Sequence, residues 1–257
     1  MGERLLRKIR YLRHPYLIAR AINLIFATRH SQKHCLRLDE YKRYSVSLEK
    51  TVEVLTGAEK PKVTIAIEEL KASRFLRHVK SCEKQIGSIG GPISTDLRLL
   101  LYLLVRFLRP EVVVETGVAN GFSSSFILKA LDQNAEGILH SIDLHYREGL
   151  MVPLGKELGW VIPNEIRYRW SLHLGESTKV LPKLLSELGS IDIFFHDSRH
   201  TYKTMMSEYE IAWPYLKNGG LLVSDDATSN DAFLDFADLH GQTPLVFNRM
   251  GLIRKKS

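Results

Sequence analysis

From residue 112 onward, short apolar and β-branched runs alternate with helix-length stretches, and this alternation constrains the fold more than any other feature of the chain. Val112-Val-Val114, Ile138-Leu-His-Ser-Ile142, Glu165 to Trp170, Ile191-Asp-Ile-Phe-Phe195 and Leu221-Leu-Val-Ser224 read as five strands. Helices are predicted from Ser94 or Thr95 to Arg109, over 123–131, near 177–188 and over 201–216, with Asn218-Gly-Gly220 ending the last one. Pro110 closes the first of these, because a residue before proline disfavours helical geometry. Pro244-Leu-Val-Phe247 and Leu252-Ile-Arg254, joined by Asn248-Arg-Met-Gly251, read as an antiparallel hairpin. Apolar runs without polar alternation suit strands buried on both faces. The expected fold is therefore α/β, with a mostly parallel sheet covered on both sides and a C-terminal antiparallel hairpin. In such sheets ligands bind beyond the carboxyl ends of the strands.

The part before this pattern differs in charge. Residues 1–44 hold eleven Lys and Arg against three acids, more than the whole chain's net charge of +7, so the remainder is close to neutral. A net charge confined to one segment argues against the whole chain being a nucleic-acid binder. Residues 1–80 are expected to form a basic, mainly helical arm or cap, and 81–257 the ligand-binding domain. Within the arm, Leu5, Leu6, Ile9 and Leu12 recur at helical spacing, with a break near His14-Pro15. Lys62 to Ile67 reads as a short strand or as the start of a helix running to about Val79. Gly87 to Pro92 is a loop by composition. Residues 16–27 are apolar but too short to cross a membrane, and Arg20 interrupts them. The arm suits packing on the core or on a second copy of the chain, as in a homo-oligomer. A second, lesser reading is peripheral contact of residues 1–30 with an anionic membrane. Cys35 and Cys82 form neither a disulfide framework nor a zinc pattern, so a reducing, cytoplasmic setting is expected.

The chemistry-bearing motifs fall at the expected strand ends. The first is Val112-Val-Val-Glu-Thr-Gly-Val-Ala-Asn-Gly-Phe-Ser-Ser125, a Glu-x-Gly-x-x-x-Gly pattern. Its glycines, Gly117 and Gly121, allow a sharp turn and close backbone approach to a ligand. It lacks the Gly-x-Gly-x-x-Gly spacing of dinucleotide dehydrogenases. It resembles motif I of class I S-adenosylmethionine-dependent methyltransferases. That resemblance implies a Rossmann-like class I methyltransferase sheet and places Glu115, Gly117, Ala119, Asn120, Gly121 and Ser123 at the cofactor. Asp143, directly after the second strand, is positioned to accept hydrogen bonds from ribose hydroxyls. Gly175-Glu-Ser-Thr178 is similar to the element that borders adenine in the same enzymes, which adds Glu176 and Ser177. Ser177 also suits a helix N-cap.

The most informative stretches are Ile191-Asp-Ile-Phe-Phe-His-Asp-Ser-Arg-His-Thr-Tyr202 and Tyr215-Leu-Lys-Asn-Gly-Gly-Leu-Leu-Val-Ser-Asp-Asp226. Together they resemble small-molecule O-methyltransferases of the macrocin O-methyltransferase and cephalosporin-hydroxylase-like type, and more distantly catechol O-methyltransferase. The resemblance covers about residues 85–226 well, the C-terminal hairpin loosely and the first 60 residues not at all. It implies S-adenosyl-L-methionine as cofactor and Asp197, Asp225 and Asp226 as ligands of Mg²⁺ or Mn²⁺. It implies His200 as general base, with Asp197 as a second catalytic group that also contacts the cofactor. His196 reads either as a cofactor contact or as buried strand-end packing. The residue types make chemical sense. Carboxylates are hard oxygen ligands for such cations, and a neutral histidine accepts a hydroxyl proton near pH 7. The expected acceptor is a hydroxyl of a small molecule, sugar or glycan.

Two alternatives stand beside this reading. One is RNA methylation with the basic arm on phosphates, disfavoured because neither an Asn/Asp-Pro-Pro-Tyr/Phe nor a Pro-Cys element is present. The other is a non-catalytic, cofactor-binding scaffold held at a membrane by the arm. Three acids and a histidine at the reaction edge are unneeded in a scaffold.

Overall fold

The computed structural model of the chain describes residues 35–86, 93–144 and 151–256. The arm helices expected within residues 1–30 and the Gly87–Pro92 loop lie outside them. The first described helices are α1 (Leu38–Arg43), α2 (Leu48–Thr56), α3 (Lys60–Ala72) and α4 (Arg74–Ile86). Lys62 to Ile67 is thus helical. Ser47 caps α2, its hydroxyl accepting from the Lys50 amide.

The long buried helix α5 (Thr95–Leu108) follows, with Arg109 in left-handed geometry before Pro110. Ser94 stands at its N-cap without a side-chain cap bond. The sheet then builds as β1 (Val112–Thr116), α6 (Phe122–Asn134), β2 (Ile138–Asp143), β3 (Trp170–Leu174), α7 (Ser177–Leu188), β4 (Ile191–His196), α8 (Tyr202–Ala212) and β5 (Leu216–Ser224). Last come α9 (Ala232–Leu239), β6 (Leu245–Phe247) and β7 (Met250–Arg254).

The seven strands lie in the order β3-β2-β1-β4-β5-β7-β6. The first five are parallel, and β7 runs antiparallel to both β5 and β6. The expected parallel sheet with a terminal antiparallel hairpin is what forms. Alternate residues divide between its two faces. Val113, Ile193, Phe195, Leu221, Val223 and Leu252 join the core under α2 to α6. Val114, Phe194, Leu222 and Ile253 join the core under α7, α8 and α9. Both faces are dry, so the strands read as continuous apolar runs. The outer strand β6 is covered by the chain before α2, where the Val46 amide donates to the Val246 carbonyl and the Val246 amide to the Tyr44 carbonyl. An edge capped in this way offers no row of free backbone groups to another chain.

Three boundaries differ from expectation. Residues 164–169 form a 3₁₀ turn, and the third strand starts only at Trp170. Helix α8, expected to run to 216, stops at Ala212, where Trp213-Pro-Tyr215 tightens into a 3₁₀ turn. Asn218-Gly-Gly220 does not end that helix; it lies within β5, where pairing with β4 shifts register. Gly219 takes the positive φ of 80° that this irregularity requires. Helix α9 forms between β5 and β6, where the sequence pattern predicts no element. Among the described residues no helix is long and apolar enough to cross a membrane.

Candidate active site

Register brings the strand ends level: Thr116 pairs with Ile142 and with His196, and His196 with Ser224. Gly117, Asp143, Asp197 and Asp225 therefore emerge along one edge of the sheet.

The turn after β1 is fixed from both sides. Gly117 has φ 89°, and a Cβ there would lie 2.0 Å from the Asp197 carbonyl oxygen, so its glycine is required by the neighbouring strand end. A Cβ on Gly121 would come within 2.7 Å of the Gly159 Cα. Ala119, with φ 46°, completes the turn. Asp143 braces it. Its Oδ2 accepts from the Val118 and Ala119 amides at 2.9 and 2.8 Å, and its Oδ1 from the Leu144 amide at 2.6 Å. Asn120 ties the turn to the segment after residue 150: its Nδ2 donates to the Met151 carbonyl, and its Oδ1 accepts from the Trp160 indole.

Glu115 lies behind this turn and is inaccessible to solvent. Its oxygens accept from Ser123, Ser124 and Ser141 at 2.8, 2.6 and 2.7 Å. Burial pushes its pKa up to about 7, against the pull of those three hydroxyls. Glu115 and Ser123, both read as cofactor residues, face each other inside the protein and stiffen the turn. Glu176 is exposed and paired with Lys179 at 2.7 Å, and Ser177 turns inward to donate to Glu208.

Glu208 went unrecognised in the sequence. It is fully buried on α8 and accepts from Thr116 Oγ1, His196 Nδ1 and Ser198 Oγ, each at 2.6 Å, as well as from Ser177. Burial works against its charge, but His196 and the hydroxyls outweigh it and hold its pKa below the usual carboxylate value. His196 is equally buried, so of its two readings the packed one describes its surroundings. The available signal was positional: Met205, Glu208, Tyr209 and Ala212 form the buried stripe of α8, which puts a glutamate on an apolar face.

The exposed side of the strand ends holds the remaining acids. The Asp197 carboxylate lies 3.8 Å from His200 Nε2, and Asp226 Oδ2 lies 3.7 Å from the same nitrogen. Burial, and then the nearby Asp225, Glu115 and Asp226 charges, push Asp197 well above the carboxylate range. Asp226 is raised by burial and by Asp225. His200 is held down to about 4, first by desolvation and then by His196, whose ring meets it edge-on at 5.4 Å. His196 Nε2 and His200 Nδ1 are both buried without a hydrogen-bond partner among the described residues.

Donor atoms of Asp197, His200 and Asp225 lie within 4.8 Å of one another. The expected metal set was Asp197, Asp225 and Asp226. This group holds His200 and not Asp226, whose Oδ2 lies 3.7 Å from His200 Nε2 and whose Oδ1 faces a second residue that carries no motif in the sequence, Arg249. That guanidinium makes a two-pronged pair with Asp225, Nε to Oδ1 at 3.1 Å and Nη2 to Oδ2 at 3.2 Å. Its Nε also lies 3.0 Å from Asp226 Oδ1. Arg249 sits in the tight turn between β6 and β7, where its residue type carried no signal. Crowded hard oxygen donors and a neighbouring imidazole suit a small divalent cation such as Mg²⁺ or Mn²⁺.

A family model described as a methyltransferase domain matches residues 114–227. No curated protein matches the chain. Among solved structures, the O-methyltransferase TomG from Streptomyces achromogenes, in complex with S-adenosylmethionine, is 17% identical with a TM-score of 0.51, the match covering 85% of this chain and 99% of that one. An O-methyltransferase from Bacillus cereus in complex with S-adenosylhomocysteine is 13% identical with a TM-score of 0.53, covering 79% and 100%. The Podospora anserina methyltransferase PaMTH1, bound to S-adenosylhomocysteine, is 13% identical with a TM-score of 0.54, covering 78% and 98%. At these identities the solved structures speak for the fold.

Proposed function

We propose that the chain, whose residues 114–227 match a methyltransferase-domain family model, is a class I S-adenosylmethionine-dependent methyltransferase that methylates a hydroxyl oxygen of a small molecule, sugar or glycan acceptor. The observation that carries this is the convergence of Asp197, His200, Asp225 and Asp226 at the carboxyl ends of β4 and β5. S-adenosylmethionine, when bound, supplies the methyl group on a sulfonium, an electrophile that needs a deprotonated and well-aligned oxygen. A divalent cation would be held by Asp197 and Asp225, with Asp226 reaching it once free of Arg249, and would supply Lewis acidity that lowers a hydroxyl pKa.

The chain's own residues account for the rest. His200, kept neutral by burial, takes the hydroxyl proton on Nε2, the nitrogen that faces Asp197 and Asp226. The Gly117–Gly121 turn, braced by Asp143, Asn120 and Glu115, forms a rigid wall at the cofactor end of the strand edge. A preorganised wall of this kind costs no rearrangement during the reaction.

The test is calorimetric titration of the purified chain with S-adenosylmethionine and S-adenosylhomocysteine, with and without Mg²⁺, followed by methyl transfer to hydroxylated acceptors. Micromolar cofactor binding and turnover that disappears on chelation and returns with Mg²⁺ or Mn²⁺ are expected. Turnover undiminished by chelation would remove the metal. Absence of cofactor binding would remove the enzymatic reading altogether.

A further inference from the structure

The geometry points to Arg249 as an exchangeable counter-cation of the acid cluster: it neutralises Asp225 and Asp226 in the metal-free protein and releases them when a divalent ion enters. The inference rests on the metal-assisted reading above.

Three observations support it. First, the Asp225 side chain is only 4% exposed, and a carboxylate removed from water needs a counter-charge. Arg249 supplies it through both carboxylate oxygens, the strongest pairing a guanidinium makes. Second, the same Nε reaches Asp226, so the guanidinium occupies oxygens of two of the three acids assigned to the metal. A divalent ion and Arg249 compete for one set of lone pairs. Third, Arg249 is mounted so that it can leave. Its side chain is 42% exposed, and it follows Asn248, at φ 56°, in the tight hairpin turn. Met250 next to it is fully buried and anchors β7, so a change of Arg249 rotamer leaves the hairpin packed.

Exchange has a thermodynamic signature that a fixed strut lacks. Removing Arg249 should weaken the metal-free protein, because the acids lose their counter-charge, and strengthen metal binding, because the competitor is gone. Saturating metal should then erase the stability difference.

The experiment compares the full-length chain with its Arg249→Met and Arg249→Lys variants. Mn²⁺ binding is followed by the electron paramagnetic resonance signal of the free ion, and thermal midpoints are taken with and without saturating Mn²⁺. Arg249→Met should bind Mn²⁺ about tenfold more tightly or better. Arg249→Lys should fall between the two, since lysine keeps the charge without the fork. The metal-free Arg249→Met midpoint should lie below wild type, and the gap should close with Mn²⁺. Equal or weaker Mn²⁺ binding by Arg249→Met overturns the proposal, as does a stability gap that persists at saturation. If none of the three proteins binds Mn²⁺, the metal-assisted reading itself falls and the exchange with it, an outcome distinct from equal binding by all three.

Discussion

Two acidic centres flank His196, and they are satisfied in opposite ways. On one side Glu208 receives four side-chain donors and is closed to solvent. On the other side the Asp197 carboxylate has no donor within hydrogen-bond distance among the described residues, and Asp225 and Asp226 share a single guanidinium. Both centres crowd acids and imidazoles onto the same strand ends. A saturated carboxylate has nothing left with which to hold a ligand. An under-satisfied one is costly to the fold and available to chemistry, so the contrast separates architecture from function more sharply than residue type does.

The largest effect that bears on this contrast is the loss of Glu208. Glu208→Ala strips partners from His196 Nδ1 and from the Thr116, Ser177 and Ser198 hydroxyls, and it should lower stability by about 3–5 kcal/mol. Asp197→Ala should do the reverse. It relieves repulsion among the carboxylates, leaves denaturant stability unchanged or raised, and abolishes turnover. Chemical denaturation of the two variants beside wild type measures both. If Asp197→Ala proves the more destabilising of the pair, the division between the two centres is wrong.

His200 gives the next effect. His200→Ala should reduce kcat by roughly a hundredfold or more, the usual range for a general base. Stability should move by less than about 0.5 kcal/mol, since among the described residues the ring makes no hydrogen bond. Because the pKa is depressed, the neutral base persists as pH falls below the ordinary histidine value of 6.5 and is lost on approach to about 4. The acid limb of kcat/KM should therefore lie in that interval and vanish in the variant. An acid limb at or above 6.5 would assign the base to another group.

Much of this was legible in the sequence, for reasons the structure makes plain. Val113, Val114, Phe194, Phe195 and Leu222 are apolar on both sides because both faces of the sheet are covered, so periodicity found β1, β4 and β5. The acids at the ends of β4 and β5 stand out because nothing structural is needed of a carboxylate there. Two kinds of feature were hidden. Trp213-Pro-Tyr215 and Asn218-Gly-Gly220 read as a helix running to its stop, yet 213–215 tighten into a 3₁₀ turn and the pairing of Leu216 with Ile191 draws Asn218-Gly-Gly220 into β5, a tertiary contact overriding local preference. Glu208 and Arg249 were hidden because their roles depend on partners far along the chain: Glu208 meets Thr116 across 92 residues, and Arg249 meets Asp225 across 24. An arginine in a hairpin turn is ordinary until the hairpin folds back beside β5.

The smallest expected effect tests a third acid that sits between the two cases. Glu115 has three hydroxyl donors, as a structural carboxylate should, yet burial raises its pKa from 4.5 to about 7. With a raised pKa the folded state holds the proton more tightly than the unfolded chain does. The stabilising contribution is complete below pH 4.5 and is lost as pH climbs through about 7. Glutamine does not titrate, so Glu115→Gln should remove this slope. Wild type should lose on the order of 1–3 kcal/mol relative to the variant between pH 5 and pH 8. Unfolding free energies of both proteins across that range decide the matter. A relative decline with rising pH would mean that the hydroxyls do not fully compensate the burial, and that Glu115 braces the cofactor turn at a cost. Parallel curves would mean that Glu115 is ionised throughout, with Ser123, Ser124 and Ser141 compensating in full. It would then belong with Glu208, and the strand-end acids around Arg249 would stand alone as the under-satisfied group.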